Sequence, residues 1–181
     1  MTAVVWHVAM SLDGFIAAPG DDMRWIFEVA DVGEPGGTAR QVMSATGAII
    51  MGRGTYEVED RERPGIYGGA WSGELFVLTH RTPEQAPDWM TGEFIDEAVE
   101  DAVARAKAAA GDLNVGLLGA SVARQCIEAG LVDEIVVHVA PVLLGDGTRL
   151  FDWPGGSQVR LEKVRVGESG ALTDLRYRVA A

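Results

Sequence analysis

Short apolar runs that stop at turn signals recur along the first half of the chain. The first covers residues 4–10, is rich in β-branched and aromatic side chains, and precedes the turn dipeptide Asp13-Gly14. Continuous apolar runs of this length are typical of strands that are buried on both faces of a sheet. The pattern therefore predicts buried strands over residues 4–10, 48–51 and 75–78.

A helical period follows these strands. Between residues 99 and 106, apolar and small residues recur at intervals of three and four positions, which places them on one helix face. Asp96 precedes this segment and is predicted to cap the helix, and Gly111 supplies the stop. Beyond it we expect a strand over residues 115–118, a helix over 121–129 that ends at Gly130, and a strand over 134–139.

The C-terminal part of the chain has a different pattern. Residues 161–166 and 172–179 flank a turn over 167–170, which predicts an antiparallel hairpin. The preceding alternation of strands and helices favours a parallel sheet that is covered on both faces. We therefore expect one α/β domain over residues 1–181: a three-layer sandwich with a mixed, mostly parallel central sheet, helices on both faces and a C-terminal antiparallel hairpin.

Composition and charge exclude several classes of function. The chain has 181 residues, of which 48% are hydrophobic, and contains no apolar stretch of the roughly 18 residues that a membrane span needs. The net charge of −12 repels a phosphate backbone, so nucleic acid is not an expected partner. The first apolar run lacks the flanks of a signal peptide. With a single cysteine, Cys126, the sequence indicates a cytoplasmic protein with a small-molecule ligand.

The residues that follow the predicted strands carry the candidate chemistry, because ligands of parallel sheets bind at the carboxyl ends of the strands. Gly52, Arg53 and Thr55 follow the second strand, and their donors at a helix N-terminus suit a phosphate. Residues 119–121, Gly-Ala-Ser, open another predicted helix in the same way. An ordinary strand-to-helix turn with a solvated arginine explains the first pattern equally well, and small residues also let a helix pack closely on a sheet.

Other catalytic motifs are absent from the sequence. Neither glycine cluster matches the G-x-G-x-x-G fingerprint or the P-loop, and no H-E-x-x-H, C-x-x-C or G-x-S-x-G segment occurs. The histidines, His7, His80 and His138, are far apart in sequence, so no metal site is predicted. His7 and His138 fall within predicted strands and are expected to be satisfied interior side chains rather than catalysts.

Three segments, in this order, resemble the dihydrofolate reductase-like superfamily, and most closely the stand-alone proteins similar to the reductase domain of bacterial riboflavin biosynthesis. They are Ser-Leu-Asp-Gly-Phe-Ile-Ala at 11–17, Ile-Met-Gly-Arg-Gly-Thr-Tyr-Glu at 50–57, and a long run over 118–147 that ends in Ala-Pro-Val-Leu-Leu-Gly-Asp-Gly. The match covers nearly the whole chain. The resemblance implies an NADPH-dependent reductase that transfers a hydride to a small nitrogen heterocycle of pteridine or pyrimidine type.

The resemblance also implies a set of cofactor-binding residues. The turn around Arg53 matches the family's phosphate-binding turn, with Arg53 near the adenosine 2′-phosphate, and Thr79 and Arg81 match the segment that flanks the adenosine. The stretch 9–17 matches a mobile loop that closes over the nicotinamide. The full set assigned to NADPH is Ala9, Ile16, Gly52, Arg53, Thr55, Thr79, Arg81, Leu118, Gly119, Ala120 and Ser121.

The candidate proton donors depart from the dihydrofolate reductase pattern. Those enzymes carry a carboxylate five residues after a tryptophan on the first helix. Here Trp25 is followed at that spacing by Ala30, and Asp31 lies one position, or about 100° of helix rotation, away. A substrate other than dihydrofolate is therefore expected. Asp13 and Asp31 are the candidate proton donors, although Asp13 also fits an ordinary Asp-Gly turn, and water is the alternative donor.

The candidate substrate walls are Met10, Trp25 and Tyr56, since aromatic side chains can stack on a flat heterocycle. Trp25 and Tyr56 fit equally well as packing residues between helix and sheet. A non-catalytic nucleotide-binding module and a flavin-binding module on the same fold are the alternative functions. The family resemblance also implies a homodimer.

Overall fold

The computed structural model describes residues 2–29, 37–62 and 64–180. Within these ranges, no helix has the length and apolar content that a membrane span requires. The strands are β1 (Val4–Ser11), β2 (Phe15–Ala17), β3 (Thr46–Gly52), β4 (Glu74–Leu78), β5 (Gly92–Ile95), β6 (Asn114–Leu118), β7 (Glu134–Ala140), β8 (Thr148–Arg149), β9 (Leu161–Ser169) and β10 (Leu172–Val179). The helices are α1 (Arg24–Val29), α2 (Gly37–Ser44), α3 (Arg53–Glu62), α4 (Val99–Ala110) and α5 (Ala120–Glu128).

One large sheet organises the molecule, with its strands in the order β5-β4-β3-β6-β1-β7-β10-β9. The strands from β5 to β7 in this order are parallel to one another. β10 is antiparallel to β7, and β9 is antiparallel to β10. The mixed, mostly parallel sheet with a C-terminal antiparallel hairpin confirms the predicted fold class.

Each face of the sheet carries its own apolar cluster, because successive side chains of a strand point to opposite faces. On one face, Val4 and Trp6 of β1 pack in the cluster that α4 and α5 cover. On the other face, Ile49 of β3 packs with Tyr56 of α3, and Val5 of β1 packs with α2. Helices therefore cover both faces, as the alternation of strands and helices predicts.

The boundaries of α4 correct one prediction. The helix begins at Val99 with Ala98 at its N-cap, and no described side chain caps it. The carboxylate of Asp96 instead forms a 2.6 Å hydrogen bond with His80 Nδ1, so the prediction of an Asp96 cap is wrong. At the other end, Gly111 with φ 61 terminates the helix as predicted.

The strands β2, β5 and β8 are not predicted from the hydrophobic pattern. They contain only three, four and two residues. An alternation of apolar and polar positions needs about four to eight residues to be recognised. These strands are defined instead by their partners in the sheets: β2 pairs with β8, which lies far away in sequence, and β5 pairs with β4.

Candidate active site

The carboxyl ends of the parallel strands meet at one edge of the sheet, and a cleft of about 1410 Å³ lies along this edge. Its walls include residues at the ends of β1, β3, β4 and β6 and the first residues of α3 and α5. Pockets for a single small ligand usually measure roughly 300–1,000 Å³. The cleft therefore has room for a dinucleotide and a second, flat ligand.

Two helix N-termini face this cleft. α3 begins at Arg53, and α5 begins at Ala120 with Gly119 as its N-cap and without a capping bond from any described side chain. Free N–H groups and the positive ends of helix dipoles favour an anion at such positions. The lining residues Thr55 and Ser121 add hydroxyl groups at the two turns. This part of the cleft is suited to bind phosphate.

Gly119 brings the two turns into close contact. Its backbone angles, φ 80 and ψ 170, lie in a region that is essentially restricted to glycine. A Cβ atom at this position would lie 2.1 Å from Thr55 Oγ1. Any larger residue at position 119 would therefore clash with the start of α3 and distort the N-terminus of α5.

Two arginines add positive charge to the same turns. Arg53 donates from Nε to Glu57 Oε1 (2.5 Å) and from its terminal NH1 group to the carbonyl oxygen of Arg81 (3.0 Å). The N–H of Arg81 donates to Thr79 Oγ1 (3.0 Å). These bonds connect the turn after β3 to the turn after β4. The side chain of Arg81 is exposed and, among the described residues, has no carboxylate partner.

All residues assigned to the cofactor from the sequence line this one cleft. They come from separate parts of the chain, which the parallel sheet brings to a common edge. The set is Ala9, Ile16, Gly52, Arg53, Thr55, Thr79, Arg81, Leu118, Gly119, Ala120 and Ser121. Their shared location is a structural finding, whereas the contact of each one with a cofactor stays a prediction.

The three residues expected to form substrate walls lie in apolar clusters instead. Met10 packs against the cluster under α4 and α5. Trp25 is buried in a cluster with Ile26 of the same helix and Ala140 at the end of β7. The ring of Tyr56 lies edge-on to Phe94 at 5.1 Å between centroids and also contacts Trp89. These placements match the alternative that the aromatic side chains pack between helix and sheet.

Asp13 connects the turn after β1 to the loop that follows β7. Its carboxylate accepts the Ser11 hydroxyl (2.6 Å) and the N–H groups of Leu144 (3.0 Å) and Gly145 (2.7 Å). The Ser11 hydrogen bond, assisted by the two backbone donors, lowers the pKa of Asp13 to about 2. A carboxyl group that stays ionised in this way is a poor proton donor near neutrality, so the structure argues against that role. The other candidate, Asp31, lies outside the described residues.

A chain of polar side chains borders the cleft where the sequence indicated only interior histidines. His7 of β1 and His138 of β7 lie on adjacent strands, with their Nε2 atoms 2.8 Å apart. His7 Nδ1 is 2.6 Å from the Tyr67 hydroxyl, and His138 Nδ1 is 2.5 Å from Asp174 Oδ1. Asp174 also accepts the Ser169 hydroxyl at 2.5 Å. Apart from Asp174, all of these residues line the cleft.

The environment of this chain controls its protonation. Burial, together with the neighbouring His138, lowers the pKa of His7 to about 3. Burial also raises the pKa of the Tyr67 hydroxyl. For Asp174, burial acts to raise the pKa, but hydrogen bonds from Ser169, Thr38 and His138 outweigh it and lower the pKa. His7 is therefore neutral at physiological pH. Asp174, which is joined to His7 through His138, is ionised.

Sequence reasoning missed this cluster because its members are far apart along the chain. His7 and His138 are satisfied and buried, as predicted, but the pairing of β1, β7 and β10 places both histidines and Asp174 in one line. The available signal was a polar residue inside each of two apolar strands. Within the described ranges, no group of three or more His, Cys, Asp or Glu side chains could hold a metal ion. The cluster is thus a hydrogen-bonded chain.

Comparisons with known proteins agree with the fold and with the predicted family. Residues 2–173 match the model of the RibD C-terminal domain. The uncharacterised protein YwjB of Bacillus subtilis (strain 168) is 29% identical over 187 residues, with 96% of this chain and 95% of that protein covered.

Solved structures show the same architecture. The "Putative riboflavin biosynthesis protein" from Shewanella sp. PV-4 has a TM-score of 0.82 at 23% identity, with 99% of this chain and all of that chain covered. A deaminase/reductase from Thermotoga maritima has a TM-score of 0.71 at 16% identity, and the match covers 99% of this chain but 57% of that one. Dihydrofolate reductase from Enterococcus faecalis, complexed with NADP(H), has a TM-score of 0.57 at 16% identity over 99% of this chain and 97% of that chain. The fold is thus dihydrofolate reductase-like, and the family match over most of the chain shows that this protein belongs to the RibD C-terminal domain family.

Proposed function

We propose that this protein is an NADPH-dependent reductase that transfers a hydride to a small nitrogen heterocycle. The observation that carries the proposal is the convergence on one cleft of two helix N-termini, the arginines Arg53 and Arg81 and the turn at Gly119. The family to which the chain belongs supports a reductase-like role. NADPH bound in the cleft would supply the hydride and its two electrons.

The residues of the cleft fit a phosphorylated dinucleotide. The N–H groups at the starts of α3 and α5 would bind the phosphate oxygens, and Gly119, which lines the cleft, has no side chain to cover its backbone. Arg53 and Arg81 would pair with the adenosine 2′-phosphate, which guanidinium groups bind bidentately. β1, which carries Ala9, lies next to β6 in the large sheet, on the side away from β3 and β4. Ala9 and Ile16, which both line the cleft, would border the nicotinamide.

A pyrimidine is the substrate class that we propose first. The Thermotoga protein is named a diaminohydroxyphosphoribosylaminopyrimidine deaminase/5-amino-6-(5-phosphoribosylamino)uracil reductase, and its similarity to this chain supports that class. Beyond the phosphate-binding turns, the cleft offers apolar walls at Met23, Ile26 and Met43. A flat ring placed between these side chains and Ala9 would lie beside the bound nicotinamide, where water is excluded from the hydride path.

Replacement of Arg53 and Arg81 by glutamine tests the cofactor. We expect NADPH to quench the tryptophan fluorescence of the wild-type protein saturably. The protein should bind NADPH at least tenfold more tightly than NADH, a difference of about 1.4 kcal/mol in binding free energy. R53Q and R81Q should each lose most of this preference while NADH binding changes little, because only NADPH carries the 2′-phosphate. R160Q is the matched control, since Arg160 is exposed and lies outside the cleft.

Two results of this titration, and one result of a substrate screen, would each reject a part of the proposal. Equal affinity of the wild type for NADPH and NADH would remove the 2′-phosphate contact. No binding of either nucleotide, with saturable binding of a flavin, would favour the flavin-binding alternative. Tight NADPH binding without reduction of any pyrimidine, pterin or riboflavin precursor would favour the non-catalytic module.

We also propose a homodimer and a cytoplasmic location for this protein. β9 lies at the edge of the large sheet and exposes Leu161, Val164 and Val166. Exposed apolar side chains on an edge strand favour association with another chain. Light scattering at micromolar concentration is expected to give twice the 19.3 kDa chain mass, and V164E/V166E should lower it to the mass of one chain. A wild-type mass of one chain would exclude the dimer.

A further inference from the structure

The hydrogen-bonded chain at the cleft has one consistent arrangement of protons when both imidazoles are neutral. With Asp174 ionised, His138 Nδ1 must donate to it, which leaves His138 Nε2 as an acceptor. His7 Nε2 then donates to His138 Nε2, so His7 Nδ1 accepts the proton of the Tyr67 hydroxyl. In this state each group donates its hydrogen bond to the next one in the order Tyr67, His7, His138 and Asp174.

One added proton reverses the direction of donation in two of the three hydrogen bonds, those that His7 forms with His138 and with Tyr67. If His138 is doubly protonated, its Nδ1 still donates to Asp174 and its Nε2 now donates to His7 Nε2. His7 must then carry its proton on Nδ1 and donate to the Tyr67 oxygen. The Tyr67 hydroxyl is thereby released from His7 and can donate to another acceptor, while His7 stays neutral throughout.

We propose that Tyr67, His7, His138 and Asp174 form a proton relay that stores one proton at His138 and delivers it from the Tyr67 hydroxyl to the ligand in the cleft. Tyr67 is the general acid, and the other three are positioning residues that act through it. The proposal rests on the proposed reductase function for the identity of the reaction. It supplies a proton donor other than Asp13, whose carboxyl group stays ionised near neutrality.

The transfer balances in protons and electrons. A hydride from the dihydronicotinamide adds to the carbon of a C=N or C=O bond, and the π electron pair of that bond moves to the nitrogen or oxygen. Tyr67 gives its proton to that atom, takes the Nδ1 proton of His7, and His7 Nε2 takes the Nε2 proton of His138. The relay ends in its neutral arrangement, and a water proton that enters at the Tyr67 oxygen after product release restores the stored proton.

The surroundings of the relay favour this cycle. His7 and His138 are 5% and 6% exposed, so their imidazoles are largely shielded from bulk water. Tyr67 has φ 54, an unusual value for an aromatic residue, within a segment of glycines that also have positive φ. Such backbone strain is often found where a side chain must be held for function.

The charged groups around the relay come from three packed elements and the loop before α1. Asp174 of β10 faces His138, Glu59 of α3 acts on Tyr67, and Arg40 of α2 and Asp21 line the same cleft. The carboxylates of Asp174 and Glu59 favour a proton on the chain between them, whereas Arg40 opposes it. The pH at which the relay loads therefore depends directly on Asp174, because its carboxylate is 2.5 Å from His138 Nδ1.

Nitrogen NMR of the histidine side chains tests the relay without any substrate. In ¹⁵N-labelled protein at high pH, the unprotonated nitrogens should be His7 Nδ1 and His138 Nε2. As the pH falls, His138 should become doubly protonated, and at the same pH the unprotonated nitrogen of His7 should switch from Nδ1 to Nε2. His80, with a 92% exposed side chain, provides the reference signal. A His7 that keeps one tautomer throughout, or that becomes doubly protonated before His138, would overturn the relay.

Conservative variants of Asp174 and Tyr67 distinguish a role in proton transfer from a role in packing alone. D174N should move the tautomer switch of His7 to lower pH, because a neutral amide no longer favours a proton on the relay. Y67F should also change the pH of the switch, since both arrangements lose the hydrogen bond between His7 Nδ1 and the Tyr67 oxygen. Y177F is the matched control, because Tyr177 lies on β10 outside the cleft lining. An unchanged transition in both D174N and Y67F would contradict the proposal.

Turnover with NADPH and 5-amino-6-(5-phosphoribosylamino)uracil gives the kinetic readout. Y67F should lower kcat by about 100- to 1,000-fold, the usual contribution of a general acid, with unchanged NADPH affinity. D174N should move the alkaline limb of the kcat profile to lower pH. Wild-type protein that fails to bind NADPH would reject the reductase proposal, whereas wild-type protein that binds NADPH but shows no tautomer switch would reject the relay alone.

Discussion

Replacing Gly119 with alanine is expected to lower NADPH affinity by at least about 100-fold, or about 2.8 kcal/mol. The new Cβ atom would lie 2.1 Å from Thr55 Oγ1, and the backbone angles of Gly119 suit only glycine. Relief of both problems must shift the start of α5, where the N–H groups proposed to bind phosphate lie. The free energy of unfolding should fall by about 1–3 kcal/mol from the backbone strain. Fluorescence titration with NADPH and urea unfolding measure the two effects.

G130A is the matched control for this variant. Gly130 also has positive φ (67) and follows the same helix, but a Cβ there meets nothing within 4 Å. It should lose about 1 kcal/mol of stability, typical of alanine at a helix-terminating glycine, and keep its NADPH affinity. If G119A binds NADPH as tightly as G130A does, the turn at Gly119 is not part of the cofactor site. If the double variant G119A/T55A regains affinity, the clash with Thr55 rather than the backbone angle causes the loss.

Acid should destabilise the protein well above the pH at which its carboxylates are protonated. The pKa of His7 is about 3 in the folded chain, against 6.5 in the unfolded chain. Between these values the unfolded state binds a proton that the folded state does not, so the free energy of unfolding rises with pH. This contribution is complete above pH 6.5 and falls by about 1.4 kcal/mol per pH unit below it. At pH 4.5 we expect a loss of about 2–3 kcal/mol, measured by urea unfolding at each pH.

Histidine variants identify the source of this dependence. H7Q should be less stable at pH 7, because it loses hydrogen bonds to Tyr67 and His138, but its stability should change less between pH 6.5 and 4.5. H80Q should keep the wild-type slope, since His80 lies on the surface. The window stays above the range in which Asp13 and Asp22, with pKa values of about 2 in the folded chain, contribute. An equal slope in wild type and H7Q would show that His7 is not the buried neutral group.

The residues proposed to bind the cofactor could be assigned to one cleft from the sequence, because they belong to local motifs. A glycine, a basic residue and a hydroxyl directly after an apolar run mark a strand-to-helix turn, and parallel strands bring such turns to one edge. Gly52, Arg53 and Thr55 follow this rule, as do Gly119, Ala120 and Ser121. The direction in which a side chain points could not be predicted from these local motifs. Met10, Trp25 and Tyr56 lie near strands whose ends form the cleft, but whether they face the cleft or the core depends on packing.

The alternation of the longer strands with helices, the mostly parallel character of the sheet, the C-terminal hairpin and the two glycine-containing strand-to-helix turns were determined by the sequence alone, because each depends on periodicity or on neighbouring residues. The contacts of Asp13 with Leu144 and Gly145 and the line from Tyr67 to Asp174 were decided by the tertiary structure. Their partners are separated by 36 to 132 positions. Such contacts depend on strand order and register, which place β1 beside β7 and β7 beside β10. A polar residue within an apolar strand has no partner in its own segment, so its role is defined only when the neighbouring strands pair with it.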